Sequence, residues 1–394
     1  MSNPLKGIRV LELGQFIAGP FVGMQLADLG AEVIKVERPG EGDPFRAFGI
    51  GAAAAGYSHN FTAFNRNKLS LTLDLGLPRG QELFRRVAAK ADVVVENFRP
   101  GVTKRLGIGC EVLRRLNPRL IYASIAGFSE DGPYRNRPAY DSIGQALSGI
   151  MGLFVDSKDT RTRGPTISDQ VTGMQACNSI VAALFDRERT GKGARIEITL
   201  LEASVYFMPD SFTAYTQSGL EMGPGTRAAL SFAFTFACAD ALLAIHLSSI
   251  EKFWRALLAA IGRADIGDDP RFKDRLGRIK NFAALNDVLR PVFAAAPRAQ
   301  WIERLLAHDV PCAPVNTIPE VMADPEVRHL GLFHELEHAR YGKMTALRRG
   351  ARIDGERESD PLPPPALGEH TDRVLQEFGL AAAEIAELRS AGVV

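Results

Sequence analysis

Asp169 is the one acid in the stretch "GPTISDQVTGMQAC" (Gly164 to Cys177), where loop composition gives way to helical periodicity. A carboxylate can serve as a nucleophile and form a covalent intermediate. The first turn of a helix carries unpaired N–H groups and favours negative charge. Ser168, just before it, is the expected N-cap. The same facts also describe an ordinary helix-start acid, and local pattern alone leaves both readings standing.

Two other patterns imitate known chemistry. "HELEH" (His334 to His338) matches the zinc-protease signature letter for letter. That chemistry needs a helix, which sets both histidines one turn apart. The surrounding "LFHELEHARYGKMTALR" alternates apolar and polar residues instead, as a strand does. In a strand the two histidines stand about 13 Å apart, too far for one metal to bridge. No metal site is therefore expected. "LGQFIAGP" (Leu13 to Pro20) follows a strand, and Glu37 falls near the position of a ribose-binding acid. It lacks the G-x-G-x-x-G spacing that brings backbone against a pyrophosphate, which argues against a nicotinamide-dependent oxidoreductase. No G-x-S-x-G elbow occurs for a serine hydrolase.

The elements that must position Asp169 alternate between strand and helix. "GIRVLEL", a turn, "FVGMQLADLG" and "AEVIKVE" make a strand, a helix and a strand, so a parallel sheet covered by helices is expected. "KLSLTLDL", "DVVVENF" and "LIYASIAGF" continue the strands, and "PRGQELFRRVAAKA" and "VLRRLNP" the helices. A long helix is expected over 168–186, followed by a strand running into a helix in "GKGARIEITLLEASVYF". In such a sheet the ligand crevice lies at the C-terminal ends of the strands. The polar loops there are Gln15 to Ala18, Arg38, Leu73, Asp74, Leu75 and Gly76, and "ENFRPG", which carries Asn97, Phe98 and Arg99; Arg105 lies just beyond. Arginines in these loops suit phosphate oxygens.

The division expected from composition is a large domain over 1–217, a Gly-containing linker over 218–228, a small domain over 229–317 and a return to the large domain over 318–394 ending in a helix. With 46% hydrophobic and 24% charged residues and a formal net charge of +1, nucleic-acid affinity is not expected. "MSNPLKGIRVLELG" has Pro4, Lys6 and Arg9 where a signal peptide needs an apolar run, and no stretch approaches a membrane span. Cys110, Cys177, Cys238 and Cys312 are far apart. Free thiols in a reduced cytoplasm are the expectation.

Taken together and in order, "LKGIRVLELGQFIAGPFVGMQLADLGAEVIKVERPGEGDPFR", "NRNKLSLTLDL", "ADVVVENFRPGVTKRLGIG", "NPRLIYASIAGFSEDGPYRNRPAYDSIGQALSG", "ALFDRERTGKGARIEITLLEAS" and "LGEHTDRVLQEFGL" resemble the family III CoA-transferases. The resemblance covers nearly the whole chain. It implies an α/β fold, with a Rossmann-like large domain holding a parallel sheet and a smaller α+β domain, in an interlocked homodimer. It implies that Asp169 is the nucleophile, passing through an aspartyl anhydride and an aspartyl-CoA thioester. It places CoA contacts at Gln15, Ile17, Ala18, Arg38, Leu73 to Gly76, Asn97, Phe98, Arg99, Arg105, Ala139, Tyr140 and Asp141. Arg137 is the expected stand-in for a lysine that one member carries where this chain has Pro138. Coenzyme A then enters as acyl-CoA substrate, not as a tightly bound cofactor, and a small carboxylic acid accepts it. The Gly223–Gly225 loop is a candidate lid. Two alternatives share the fold: an acyl-CoA racemase, and a catalytically silent CoA-binding protein. The racemase needs a His and Asp pair. Tyr140 stands at the matching position, and no histidine lies between His59 and His246.

Overall fold

The computed structural model describes residues 3–48, 58–248, 250–339, 342–357 and 361–394. Within these the chain forms two compact units, one built from 1–151, 164–209 and 330–394 and the other from 152–163 and 210–329. The expected small domain, 229–317, falls inside the second unit, which begins earlier and runs on to 329.

In the first unit, β1 (Arg9–Glu12), β2 (Glu32–Glu37), β3 (Lys68–Thr72), β4 (Val93–Glu96), β5 (Ile121–Ala126) and β6 (Arg195–Thr199) form one sheet in the order β3-β2-β1-β4-β5-β6. Every pairing is parallel. Helices α1 (Ala18–Asp28), α2 (His59–Phe64), α3 (Pro78–Ala88), α4 (Val102–Arg105), α5 (Cys110–Leu116), α6 (Asp141–Ser148), α7 (Ile167–Thr190) and α8 (Leu200–Tyr206) complete its N-terminal part. Strand order reverses direction between β1 and β4, and there the loops that leave the two strands diverge.

Both faces of the sheet are covered, and β1 to β5 are buried almost throughout although Glu12, Lys35, Glu37 and Lys68 interrupt their apolar runs. Neighbouring residues point to opposite sides. Val10, Val33 and Val93 pack with Val22 and Leu26 of α1 and with Ala176, Ile180 and Leu184 of α7. Leu11, Ile34 and Val94 pack with Leu83, Phe84 and Val87 of α3. The chain's C-terminal part completes this second face through Val374, Leu375, Phe378 and Leu388. Polar pins hold it there: Thr72 N–H donates to Thr371 Oγ1 at 3.0 Å, and Asp74 N–H donates to the Val393 carbonyl at 2.8 Å.

The "HELEH" segment is a strand, β10 (Phe333–His338), paired antiparallel with β11 (Gly342–Leu347). Its histidines therefore do not share a helical face. Arg340 and Tyr341, inside the same expected strand-rich stretch, lie outside the described residues. The second unit holds an antiparallel sheet of β7 (Ala233–Ala237), β8 (Leu242–His246) and β9 (Cys312–Pro314). Its core stacks Phe236 on Phe293 at 4.4 Å between centroids. The stretch 218–228 is less open than a simple linker, since Gly225, at φ +84°, starts a helix over Thr226–Ser231.

Phe84 is fully buried while Leu116 is 51% exposed. Phe84→Ala is expected to lower unfolding free energy by about 3–5 kcal/mol through lost burial and a residual cavity. Leu116→Ala should change it by no more than about 0.5 kcal/mol. Denaturant titration of the two variants checks this, and equal losses would contradict the placement of the core.

Candidate active site

Asp169 is the third residue of α7. Thr166, not Ser168, stands at the N-cap, and its side chain makes no capping bond. Ser168 is drawn inward instead, because its hydroxyl pairs with Ser204 of α8 at 2.7 Å in a fully buried position. Gly144 of α6 permits this approach, since a Cβ there would lie 2.2 Å from the Ser168 hydroxyl. Helices α6, α7 and α8 thus interlock around the start of α7. The Asp169 N–H donates to Asp141 Oδ1 at 3.2 Å. Asp141 Oδ2 accepts from Gln145 Nε2 at 2.6 Å, and the same amide reaches the Pro165 carbonyl at 3.2 Å. Asp141, expected among the CoA contacts, is buried and faces Asp169.

Burial, and then the nearby Asp141 charge, push the Asp169 carboxyl up to about 7. The helix start was expected to keep it ionised, but removal from water outweighs the first-turn dipole here.

The opposite wall is the loop after β1. Phe16 sits in the left-handed region at φ +62°, a conformation that costs roughly 1–3 kcal/mol for a residue with a side chain. Asn97 braces it: its Oδ1 accepts from Gln15 N–H and its Nδ2 donates to the Gln15 carbonyl, both at 2.8 Å. Gly14 and Gly19 are required, because a Cβ on Gly14 would stand 2.9 Å from Gly19 backbone. The Phe16 ring meets Tyr140 edge-on at 5.6 Å.

Between these walls lies a cavity of about 290 Å³, open at the reversal of strand order. It gathers Gln15, Ile17, Ala18, Asn97, Phe98, Arg99, Arg137, Ala139, Tyr140 and Asp169 from the sequence expectations. Arg135 lines it as well. Sequence pattern did not single Arg135 out, although its place two residues before Arg137 in "RNRPAY" was the available signal. A larger cavity of about 640 Å³ shares the Phe98–Pro100 wall, and burial raises its Glu96 to about 7 against hydrogen bonds from Ser124 and Phe98 N–H.

Arg38 and Leu73–Gly76 form a second group at the ends of β2 and β3; neither they nor Arg105 and Asp141 line the Asp169 cavity. Arg38 reaches Asp74 at 3.8 Å and Glu41 at 3.1 Å and is 61% exposed. Asp74 Oδ1 accepts from Gly76 N–H at 2.7 Å and shapes the turn. The Leu73 side chain is buried in the core, so only its backbone faces this turn. Leu75 packs on the same core, and Arg105 is exposed at the end of α4. Among the described residues no cluster of three His, Cys, Asp or Glu side chains could hold a metal ion, and no helix is long and apolar enough to cross a membrane.

The pattern of CoA-transferase family III matches residues 5–371. This chain belongs to CoA-transferase family III. The enzyme is 33% identical to succinyl-CoA:glutarate CoA-transferase of Mus musculus over 379 residues, covering 95% of this chain and 86% of that protein. It is 36% identical to acetyl-CoA:oxalate CoA-transferase of Acetobacter aceti, covering 82% and 84% of the two chains. A CAIB/BAIF family protein from Brucella suis has the same fold, with TM-score 0.84 and 32% identity over 96% of this chain and all of that one. The transferase carries its parallel sheet and cavity within the matched span.

A carboxyl whose pKa is higher folded than unfolded favours folding while it is protonated and opposes it once it ionises. Asp169, at about 7 folded against 3.8 as its ordinary value, thus lowers stability progressively as pH rises from about 4 to about 7. Asp169→Asn is expected to raise Tm above pH 7, with the gain vanishing below pH 4. A Tm gain independent of pH would contradict the buried ionisation.

Proposed function

We propose that this transferase moves CoA from an acyl-CoA donor to a small carboxylic acid through covalent intermediates on Asp169. The observation that carries the reading is that Asp169 lines one cavity together with Arg99, Arg135 and Arg137. An Asp169 oxygen attacks the thioester carbonyl, forming an aspartyl anhydride and releasing CoA thiolate. The thiolate then attacks the aspartyl carbonyl, freeing the donor acid and leaving an aspartyl-CoA thioester. The acceptor carboxylate attacks that thioester, re-forms an anhydride and again releases the thiolate. Attack of the thiolate on the acceptor's carbonyl yields the new acyl-CoA and restores the Asp169 carboxylate. Anhydrides hydrolyse readily, and a cavity of about 290 Å³ leaves little room for water once filled.

Arg38 and the Leu73–Gly76 turn are the proposed seat of the phosphate-bearing end of CoA, and Arg105, exposed at the end of α4, is a further proposed contact. A small dicarboxylate is the proposed acceptor. Arg99, Arg135 and Arg137 suit its second carboxylate, and relatives are named for glutarate and oxalate. Among the described residues lining the cavity there is no histidine, which favours transfer over the two-base chemistry of a racemase. The exposed side chains Met174, Phe185, Tyr206 and Phe207 support the homodimer that the resemblance implies, since apolar surface of this extent favours association. A cytoplasmic location is part of the same reading.

Acyl-CoA followed by borohydride is expected to reduce and label the side chain at Asp169, read by peptide mass spectrometry. Asp169→Ala should lose the label and reduce turnover by on the order of a thousandfold or more, with CoA still bound. Near-native turnover in that variant would sink the covalent mechanism. Arg38→Ala should weaken CoA binding roughly tenfold, about 1.4 kcal/mol, in a titration that reads Kd. An unchanged affinity would remove Arg38 from the CoA site.

A further inference from the structure

Six charged side chains lie buried beside the site and take no part in the chemistry proposed above: Glu12, Lys35, Glu37, Asp43, Arg46 and Lys68. Buried ions are costly to remove from water, and apolar replacements of similar size are often as stable. The contacts of three of them, Lys35, Asp43 and Lys68, converge on one segment. Lys35 Nζ bonds Glu12 at 3.0 Å and Asp43 at 3.0 Å, and donates to the Gly14 carbonyl at 2.7 Å. Lys68 Nζ bonds Glu12 at 2.5 Å and donates to the Pro20 carbonyl at 2.8 Å. Asp43 Oδ1 accepts from Phe16 N–H at 3.2 Å and from Phe45 N–H at 2.9 Å. The cluster therefore grips backbone at the start and the middle of the loop that forms one wall of the Asp169 cavity, and in the first turn of α1 that follows it. Its central grip is at Phe16, the residue held in the left-handed region. From Phe16 the contacts run through Tyr140 to its neighbour Asp141, which receives the Asp169 N–H.

We propose that Lys35, Asp43 and Lys68 are positioning residues: an ionic clamp, shared through Glu12, that holds Gln15–Ala18 at the distance from Asp169 that acyl transfer needs. The inference rests on Asp169 being the nucleophile. The clamp touches no substrate, so its loss shows in the chemical step more than in CoA binding. The Glu12 carboxyl is held ionised against burial by Lys35 and Lys68, and burial brings Lys68 down to about 8 despite the Glu12 charge.

The test compares three variants by the rate at which acyl-CoA labels Asp169, by KM for acyl-CoA, and by Tm. Asp43→Ala removes the acceptor for Phe16 N–H and is expected to slow labelling by about 30- to 100-fold with KM changed no more than about threefold, as for a misplacement near 1 Å. Asp43→Asn keeps an oxygen acceptor and should recover to within about fivefold of wild type. Asp28→Asn weakens a different buried ion pair, with Arg66, that does not touch this loop; its labelling should stay within about twofold despite a comparable Tm loss. Labelling of Asp43→Ala within about twofold of wild type overturns the clamp, as does an equal loss in Asp28→Asn. If Asp43→Ala does not fold, hydrogen exchange on the wild-type protein decides. Residues 14–20 are expected to exchange more slowly than 135–140 on the same cavity, and equally fast exchange overturns the clamp. Absence of label in the wild type would instead defeat the Asp169 reading, leaving hydrogen exchange to judge the clamp alone.

Discussion

The reversal of strand order between β1 and β4 is the constraint on which the rest of this structure depends. Both strands are parallel, and their outgoing loops must turn to opposite sides of the sheet to reach their helices. That divergence opens the space that Gln15–Ala18 and Asn97–Pro100 border. The reciprocal amide pair between Asn97 and Gln15 ties the two loops where they part. Helix α7 then needs only to present its first turn to the opening. It does so because Ser168 is anchored inward on Ser204, which turns the adjacent Asp169 toward the cavity.

Two kinds of buried charge meet at this crevice, and they behave oppositely. Lys35 and Lys68 share Glu12, so burial there is offset by attraction. Asp169 has a like charge nearby in Asp141, and burial and repulsion act together to raise its pKa. A carboxyl with a raised pKa is, once ionised, more basic and more nucleophilic than an ordinary carboxylate. Destabilised groups of this kind concentrate at sites of chemistry.

Much of the fold was legible in the sequence because its strands are short apolar runs separated by helices of clear period. Helix α7 runs over Ile167–Thr190, beyond the expected 168–186, since the polar tail "RERT" carries no apolar period to mark its last turn. The start of the same helix shows the limit more sharply. Ser before Asp looks like a cap, yet the hydroxyl found a partner 36 positions away in Ser204. The Leu73 side chain, at the start of an expected ligand loop, packs in the core, because strand alternation carries one residue past the end of β3. The charged residues inside "IRVLEL", "EVIKVE" and "KLSLTL" were visible anomalies in strands otherwise apolar, and only pairing across β1, β2 and β3 shows what each one holds.

By itself, then, the sequence determined the α/β class, the parallel sheet, the strand nature of "HELEH" and, through the order of its motifs, the family. These depend on periodicity and spacing, which are local or linear properties. The tertiary structure alone decided that Asp169 faces Asp141, that the Arg38 group and the Asp169 cavity are separate places along one sheet edge, and that buried lysines grip the loop after β1 and the first turn of α1. Each of those rests on contacts between residues distant in sequence, and on removal from water, which no pattern of neighbours along the chain can specify.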